Sequence, residues 1–235
     1  MKYMQGIIYR TLTIIVSVLL VLATMFFSVE YTLVFFPLYA LFLFLYHYKA
    51  TGKFVFPFFA YLLVAMFYEV LFLYDYEKYI NIISFLHITS QLLFLWLLKP
   101  VIKVNIKNFS THNITELVIG FLGISYVIGY VLYLIFPLIP DLTLFIPSVI
   151  SFLLIIVACI GIPLFNKHPD HIMLWGVGGG LIAEMVCAFT YEYVSDHRAY
   201  IVMAHIFGAF LKIIFAIYLT RINEVKAFDE EEDYI

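Results

Sequence analysis

Two stretches decide the fold of this chain: residues 59–74, which read FAYLLVAMFYEVLFLY, and residues 175–189, which read WGVGGGLIAEMVCAF. Both are apolar enough to lie inside a lipid bilayer, yet each holds one carboxylic acid, Glu69 in the first and Glu184 in the second. An ionisable side chain at membrane depth costs at least about 2.5–3.5 kcal/mol, so it requires a function or a partner. Each stretch leads into an aromatic-acid-aromatic sequence, FLYDY and FTYEY. This repetition predicts that Glu69 and Glu184 form a paired site.

The composition excludes a water-soluble protein. Of 235 residues, 65% are hydrophobic and 12% are charged, whereas soluble domains carry about 25% charged residues. Repeated apolar spans leave no room for a separate globular domain, and no nucleic-acid partner is expected. The two cysteines, Cys159 and Cys187, fall within predicted spans and are expected to be small buried hydrophobes, not a disulfide or a zinc site.

Apolar runs bounded by charged, proline or glycine-containing breaks predict an all-α, polytopic integral membrane protein with eight transmembrane helices. The predicted spans are 6–28, 31–48, 54–74, 79–98, 115–136, 142–164, 172–193 and 199–220. They form a single transmembrane domain over residues 1–228. The acidic residues 229–235 are predicted to be a disordered tail, because like charges repel one another.

The distribution of basic residues supports this topology. Ten lysines and arginines fall in loops on the side of the N-terminus, and two fall on the opposite side. The ten are Lys2, Arg10, Lys49, Lys53, Lys99, Lys103, Lys107, Lys167, Arg221 and Lys226; the two are Lys78 and Arg198. Cytoplasmic loops carry the excess of basic residues. The sequence therefore predicts an inner or plasma membrane protein with both termini in the cytoplasm.

An internal repeat is predicted from the spacing of the two acids. Glu69 and Glu184 lie 115 positions apart, and each is followed by a corresponding span, 79–98 after the first and 199–219 after the second. Four spans separate equivalent positions, so the two halves of this 4+4 repeat would share one orientation. Transporter-like folds often place their binding site at such a repeat interface.

Several polar side chains are predicted to share the membrane depth of the two acids. They are His87 and Gln91 in the fourth span, and His205 and Lys212 in the last. Polar groups in one slab can neutralise and hydrogen-bond one another, which makes them tolerable in lipid. Structural roles stay open for each: His87 and Gln91 as hydrogen-bond partners between helices, and Lys212 as a counter-ion to a glutamate.

The glycine cluster before Glu184 predicts where that acid points. Gly176 and Gly180 form a small-xxx-small pair, which lets a neighbouring helix approach closely. Glu184 lies four residues after Gly180 and therefore on the same helical face. We expect Glu184 to point into the bundle.

No metal site or cofactor is predicted. His168, Asp170 and His171 could ligate a metal, but no further matched ligands lie near them in the sequence, and HPDH is typical of a turn before a helix. No phosphate-binding glycine loop or hydrolase signature occurs in the chain.

Four segments resemble motifs of the YhhN-like, or lysoplasmalogenase, family of membrane proteins. That family has about eight spans, with one aspartate motif in the third span and a second in the seventh. The corresponding segments here are AMFYE at 65–69, ITSQLLF at 88–94, GGLIAE at 179–184 and HIFGAFL at 205–211. Glu69 and Glu184 stand where the family has aspartates, Gln91 where it has histidine, and His205 where it has tyrosine.

The resemblance implies a hydrolase that cleaves the vinyl ether bond of a lysophospholipid to a fatty aldehyde and a glycerophospho-base. Its catalytic residues would be Glu69 and Glu184, one as an acid and the other as a carboxylate that steadies positive charge. Side chains that would support them are Gln91, His205, Lys212, His87 and Tyr68. The partner would be a membrane lipid or lysophospholipid.

Three other classes stay open from the sequence. A lipid- or small-molecule-binding protein, sensor or transporter could use the same fold without catalysis. A subunit of a membrane complex is a second alternative. A retinal protein is the third, suggested by Lys212 in the last span, but the chain has no aspartate one turn before that lysine.

Overall fold

A computed structural model describes residues 2–27, 29–102, 111–165 and 170–232, with side chains for 7–27, 31–102, 114–165 and 170–222. The described chain forms seven α-helices. They are α1 (Lys2–Phe26), α2 (Val29–Thr51), α3 (Phe56–Leu98), α4 (Thr111–Ile135), α5 (Phe145–Phe165), α6 (Ile172–Tyr193) and α7 (Arg198–Glu232). No β-strand occurs in these ranges, which confirms the all-α class.

Seven helices in the described ranges are long and apolar enough to cross a bilayer. Many of their large apolar side chains face outward, for example Phe26, Tyr126 and Tyr133, which are 68%, 74% and 75% exposed. Such a surface is stable in lipid and not in water, so the structure indicates an integral membrane protein. Of the spans, α7 is the most buried and α4 the least.

The prediction of eight separate helices is not confirmed, because α3 covers two of the predicted spans. The predicted third and fourth spans, 54–74 and 79–98, join in one 43-residue helix that is interrupted at Asp75, where φ is −168° and ψ is 87°. No glycine or proline occurs from residue 58 to 98. Because nothing else there breaks a helix, the connection shrinks from the expected loop to one extended residue.

The two arms of α3, residues 56–74 and 76–98, lie side by side. The rings of Tyr61 and Phe94 are 5.8 Å apart and those of Tyr68 and His87 are 5.2 Å apart. A straight helix would separate Tyr61 from Phe94 by roughly 50 Å. Asp75 starts the second arm, because its carboxylate accepts a hydrogen bond of 3.1 Å from the Lys78 N–H, as a helix N-cap does.

One end of the bundle, here called the Asp75 end, is joined by contacts between helix termini. They are the edge-to-face contact between the rings of Tyr76 and Tyr193 (5.7 Å), the hydrogen bond from the Asn81 amide to Asp141 (2.7 Å) and the hydrogen bond from the Arg198 guanidinium to the Met25 carbonyl (3.3 Å). Hydrogen bonds from Asn81 and Thr143 lower the pKa of the Asp141 carboxyl.

The opposite end, here called the Lys99 end, holds the C-terminus of α2, both outer ends of α3 and the start of α6. Arg221 of α7 donates to both carboxylate oxygens of Asp170 at 2.9 Å. Helix α7 continues past this ion pair to Glu232, so residues 229–232 of the predicted disordered tail are helical. Three of these four residues are glutamate, which favours helix. Residues 233–235 lie outside the described ranges.

Candidate functional site

The two predicted acids meet at a single lysine in the middle of the bundle. Lys212 Nζ on α7 lies 2.6 Å from Glu69 Oε1 on the first arm of α3 and 3.4 Å from Glu184 Oε1 on α6. Since both oxygens lie that close to one nitrogen, they are no more than about 6 Å apart. Helix α3 and the consecutive helices α6 and α7 thus bring their charged residues to one point.

All three side chains are withdrawn from the surface. The exposed fraction is 5% for Lys212, 14% for Glu69 and 20% for Glu184. Lys212 Nζ also donates to the carbonyl of Gly208 at 3.3 Å, whereas its contact with Glu69 is a close ion pair without hydrogen-bond alignment. One cation cannot neutralise two carboxylates, so the cluster carries one net negative charge unless it holds a proton.

Two glycines allow this approach. A Cβ atom on Gly208 would come within 2.9 Å of the Glu184 carboxyl carbon, and one on Gly180 within 2.8 Å of Leu211 Cβ. The prediction that Gly180 packs against a neighbouring helix is confirmed, and Glu184 points into the bundle as expected. Gly208 was not singled out from the sequence, because its neighbour comes from another helix.

A cavity of about 120 Å³ lies beside the cluster, towards the Asp75 end. Glu69, Glu184 and His205 line it where it meets the cluster, and its other walls come from α3, α5, α6 and α7. Most of those walls are apolar or aromatic: Tyr68, Phe72, Tyr76, Phe145, Phe152, Leu181, Met185 and Phe189. The arrangement places two carboxyls at one side of a hollow that suits an apolar chain.

The opposite side of the cluster, towards the Lys99 end, is filled by aromatic rings. Phe94 and Phe215 stack with centroids 4.0 Å apart, and Tyr61 meets Phe215 edge-on at 5.8 Å. Phe94 is 1% exposed and Phe215 is fully buried. Access to Glu69 and Glu184 is therefore open on the Asp75 side and closed on the Lys99 side.

His87 lies in the cavity wall and is held by one hydrogen bond to α5 and one within its own arm of α3. One ring nitrogen lies 2.7 Å from the Ser148 hydroxyl of α5, and the Gln91 amide lies 2.8 Å from the other. The Gln91 carbonyl accepts a hydrogen bond from Ser151, also on α5. These contacts agree with the structural role that the sequence left open for both residues.

Gln91 and Tyr68 differ in their access to the cavity. Gln91 is buried and is not among the residues that line the cavity, so its contacts are those of a structural link. Tyr68 does line it and meets the His87 ring edge-on at 5.2 Å. Sequence alone could not separate them, because the direction of each side chain depends on the fold-back at Asp75.

His205 lines both the cavity and a narrow gap of about 10 Å³ that is bordered by α1, α2 and the cluster. Its ring meets Phe36 edge-on at 5.4 Å, and its Nε2 atom is buried without a hydrogen-bond partner. Tyr39 lines the same gap and donates to the Ala209 carbonyl at 3.0 Å. Tyr39 was missed from the sequence, where it resembles any other aromatic residue of a span.

The described residues contain no group of three or more histidine, cysteine, aspartate or glutamate side chains placed to hold a metal ion. His168 lies outside the described ranges. Cys159 and Cys187 are free thiols, the first buried and the second half-buried.

Comparisons with protein-family models, with curated proteins and with solved structures gave no match to this chain. The site must therefore be interpreted from its own geometry.

Proposed function

We propose that this chain is a membrane-embedded hydrolase that cleaves the vinyl ether bond of a lysophospholipid. The observation that carries the proposal is the meeting of Glu69 and Glu184, from distant helices, at one side of an apolar cavity. The resemblance of four segments to lysoplasmalogenase motifs names the substrate class. The apolar walls would hold the alkenyl chain.

Charge balance assigns different roles to the two acids. A buried cluster of low net charge is strongly favoured over one with an unpaired carboxylate. A single proton on one carboxyl makes the cluster neutral. Glu69, at 2.6 Å from Lys212, is the ionised partner, and Glu184, at 3.4 Å, carries the proton. Both carboxyls border the cavity.

The reaction adds one water molecule across the substrate. Glu184 donates its proton to the vinyl carbon distal to the ether oxygen, which leaves an oxocarbenium ion. Water attacks the carbon next to that oxygen and gives up a proton to the Glu184 carboxylate. The resulting hemiacetal then collapses, its hydroxyl proton passing to the departing ether oxygen. The C–O bond breaks, and the products are a fatty aldehyde and a glycerophospho-base.

Negative charge beside the oxocarbenium ion lowers its energy, as in glycosidases, where paired carboxyls act on a similar cation. Glu69 supplies that charge throughout. Lys212 keeps the Glu69 carboxylate ionised. The surrounding apolar residues exclude water, which would otherwise weaken the interaction between that carboxylate and the oxocarbenium ion. His205 Nε2, which lacks a partner in the protein, would orient the attacking water.

In the proposed topology the chain crosses an inner or plasma membrane eight times. The two arms of α3 are the third and fourth crossings, and the fold-back at Asp75 connects them. Both termini are cytoplasmic at the Lys99 end, and the 4+4 repeat relates the arms of α3 to α6 and α7. The basic residues of the N-terminal side support this orientation.

The decisive experiment measures aldehyde released from a lysoplasmalogen by the purified protein. The saturated ether analogue serves as the substrate control. We expect Glu184→Gln to lower the rate by about 10²–10⁴-fold, the range for loss of a general acid. Glu192→Gln, on the same helix but away from the cavity, is the matched control. Unchanged rates in both Glu69→Gln and Glu184→Gln would remove this mechanism.

A second candidate is a lipid- or small-molecule-binding protein without catalysis. The contact of Lys212 with both carboxylates favours it, because a lysine that pairs with two acids stabilises their buried charges whether or not a reaction takes place. Binding of the lysolipid without aldehyde release would support this reading.

A further inference from the structure

A second cavity, of about 250 Å³, lies at the Lys99 end and is separate from the acid cluster. It forms where the fold-back of α3 brings both outer ends of that helix together, beside the end of α2 and the middle of α7. Its walls include His47, Pro57, Trp96, Lys99 and Pro100. Pro57 and Pro100 limit the flexibility of the two segments that face each other.

The polar groups of this cavity are cationic or neutral donors. His47 is 2% exposed, and its Nδ1 atom is buried without a hydrogen-bond partner. Lys99 is exposed and lines the same cavity. None of the described lining residues is a carboxylate. Arg221 is beside Ile222 in sequence, but it already binds Asp170.

A buried polar atom without a partner costs on the order of 1–3 kcal/mol, so the Nδ1 atom of His47 calls for a ligand. Because Lys99 lines the same cavity, an anion is the favoured ligand. A phosphate group fits this chemistry, because it offers several acceptor oxygens to an ammonium group and an imidazole N–H.

The position of the cavity favours a lipid over a soluble anion. Trp96, which lines it, is 66% exposed, and Phe56 on the adjoining arm is 64% exposed. Such aromatic residues mark the boundary between headgroups and acyl chains. Lys49 lies at the same end of the bundle and adds positive charge that attracts an anionic membrane surface.

We propose that this cavity binds the phosphate of an anionic phospholipid, with Lys99 Nζ and His47 Nδ1–H as donors and the acyl chains beside Trp96. The lipid would fasten α2 to both ends of α3 and to α7. This site is independent of the proposed hydrolase activity and takes a bilayer lipid, not a substrate.

The test is native mass spectrometry of the full-length protein, titrated with phosphatidylglycerol in detergent. Diacylglycerol with the same chains and inorganic phosphate are the comparison ligands. We expect Lys99→Gln and His47→Phe to weaken phosphatidylglycerol binding about tenfold each, the scale of one lost hydrogen bond to a charged group. His47→Phe keeps a ring against Phe58, which lies 4.6 Å from it.

Lys53→Gln is the matched control, since Lys53 is exposed at the same end and does not line the cavity. We expect it to bind phosphatidylglycerol as the unchanged protein does. Equal affinities for Lys99→Gln and Lys53→Gln would overturn the site. Equal competition by inorganic phosphate, or equal binding of diacylglycerol, would overturn its assignment to a phospholipid.

Discussion

Lys212 lies 2.6 Å from Glu69, although the two residues are 143 positions apart in the chain. The same ammonium group reaches Glu184 on a third helix at 3.4 Å. One lysine thus joins α3, α6 and α7 at the centre of the bundle.

Removing the lysine should cost more stability than removing the whole ion pair. Lys212→Met leaves two buried acids without a cation, and loss of one partner of a buried ion pair typically costs about 3–5 kcal/mol. We expect a lower thermal midpoint for Lys212→Met and partial recovery in Lys212→Met/Glu69→Gln. Thermal unfolding in detergent measures both. A midpoint equal to that of the exposed control Lys53→Met would show that the cluster contributes no stability.

Gly208 should be intolerant of a methyl group. In Gly208→Ala the new Cβ would overlap the Glu184 carboxyl, so that acid must move away from Lys212. A displacement of about an ångström can cost 100-fold in rate, so we expect a comparable loss of aldehyde release. Gly179→Ala is the matched control, because nothing lies within 4 Å of its Cβ position.

The control Gly179→Ala should be at least as stable as the unchanged protein. In a helix, alanine is more stable than glycine by about 0.8–1.0 kcal/mol, so Gly179→Ala should not lower the thermal midpoint. If Gly208→Ala keeps the activity and midpoint of Gly179→Ala, then the close packing of Glu184 on Gly208 is not required.

The turn at Asp75 should depend on its side-chain cap. Asp75→Ala removes the acceptor for the Lys78 N–H, and loss of an N-cap costs about 0.5–2 kcal/mol. Asp75→Asn keeps an acceptor oxygen and should retain most of the stability. Thermal midpoints compare the two variants. Equal destabilisation by both would point to the charge of Asp75 and not to its cap.

The cavity and the aromatic side of the cluster should respond differently to added volume. Ala188 lines the cavity, so Ala188→Leu has room for its side chain and should fold with little loss of stability. Ala216 is fully buried next to Phe215. Ala216→Leu should therefore lower the thermal midpoint, because overpacking at such a position typically costs about 1–3 kcal/mol. Thermal unfolding distinguishes these outcomes. We also expect Ala188→Leu to raise the KM for the lysolipid, because it fills the cavity.

Part of the site follows from local sequence. The cost of an acid in lipid identified Glu69 and Glu184, and helical periodicity placed Glu184 on the same face as Gly180. Composition determined the membrane class, since long apolar helices cannot be stable in water with such side chains exposed. These conclusions depend on one helix at a time.

The rest needed the tertiary structure, because it depends on distances between helices. Sequence placed Lys212 and Gln91 at similar depth in their spans, but only the packing of α7 against α3 and α6 turned Lys212 towards the acids. The fold-back at Asp75 turned Gln91 towards Ser151 and away from the cavity. The spacing of residues along one helix determines which face a side chain occupies, whereas the neighbour it meets is determined by how the helices pack.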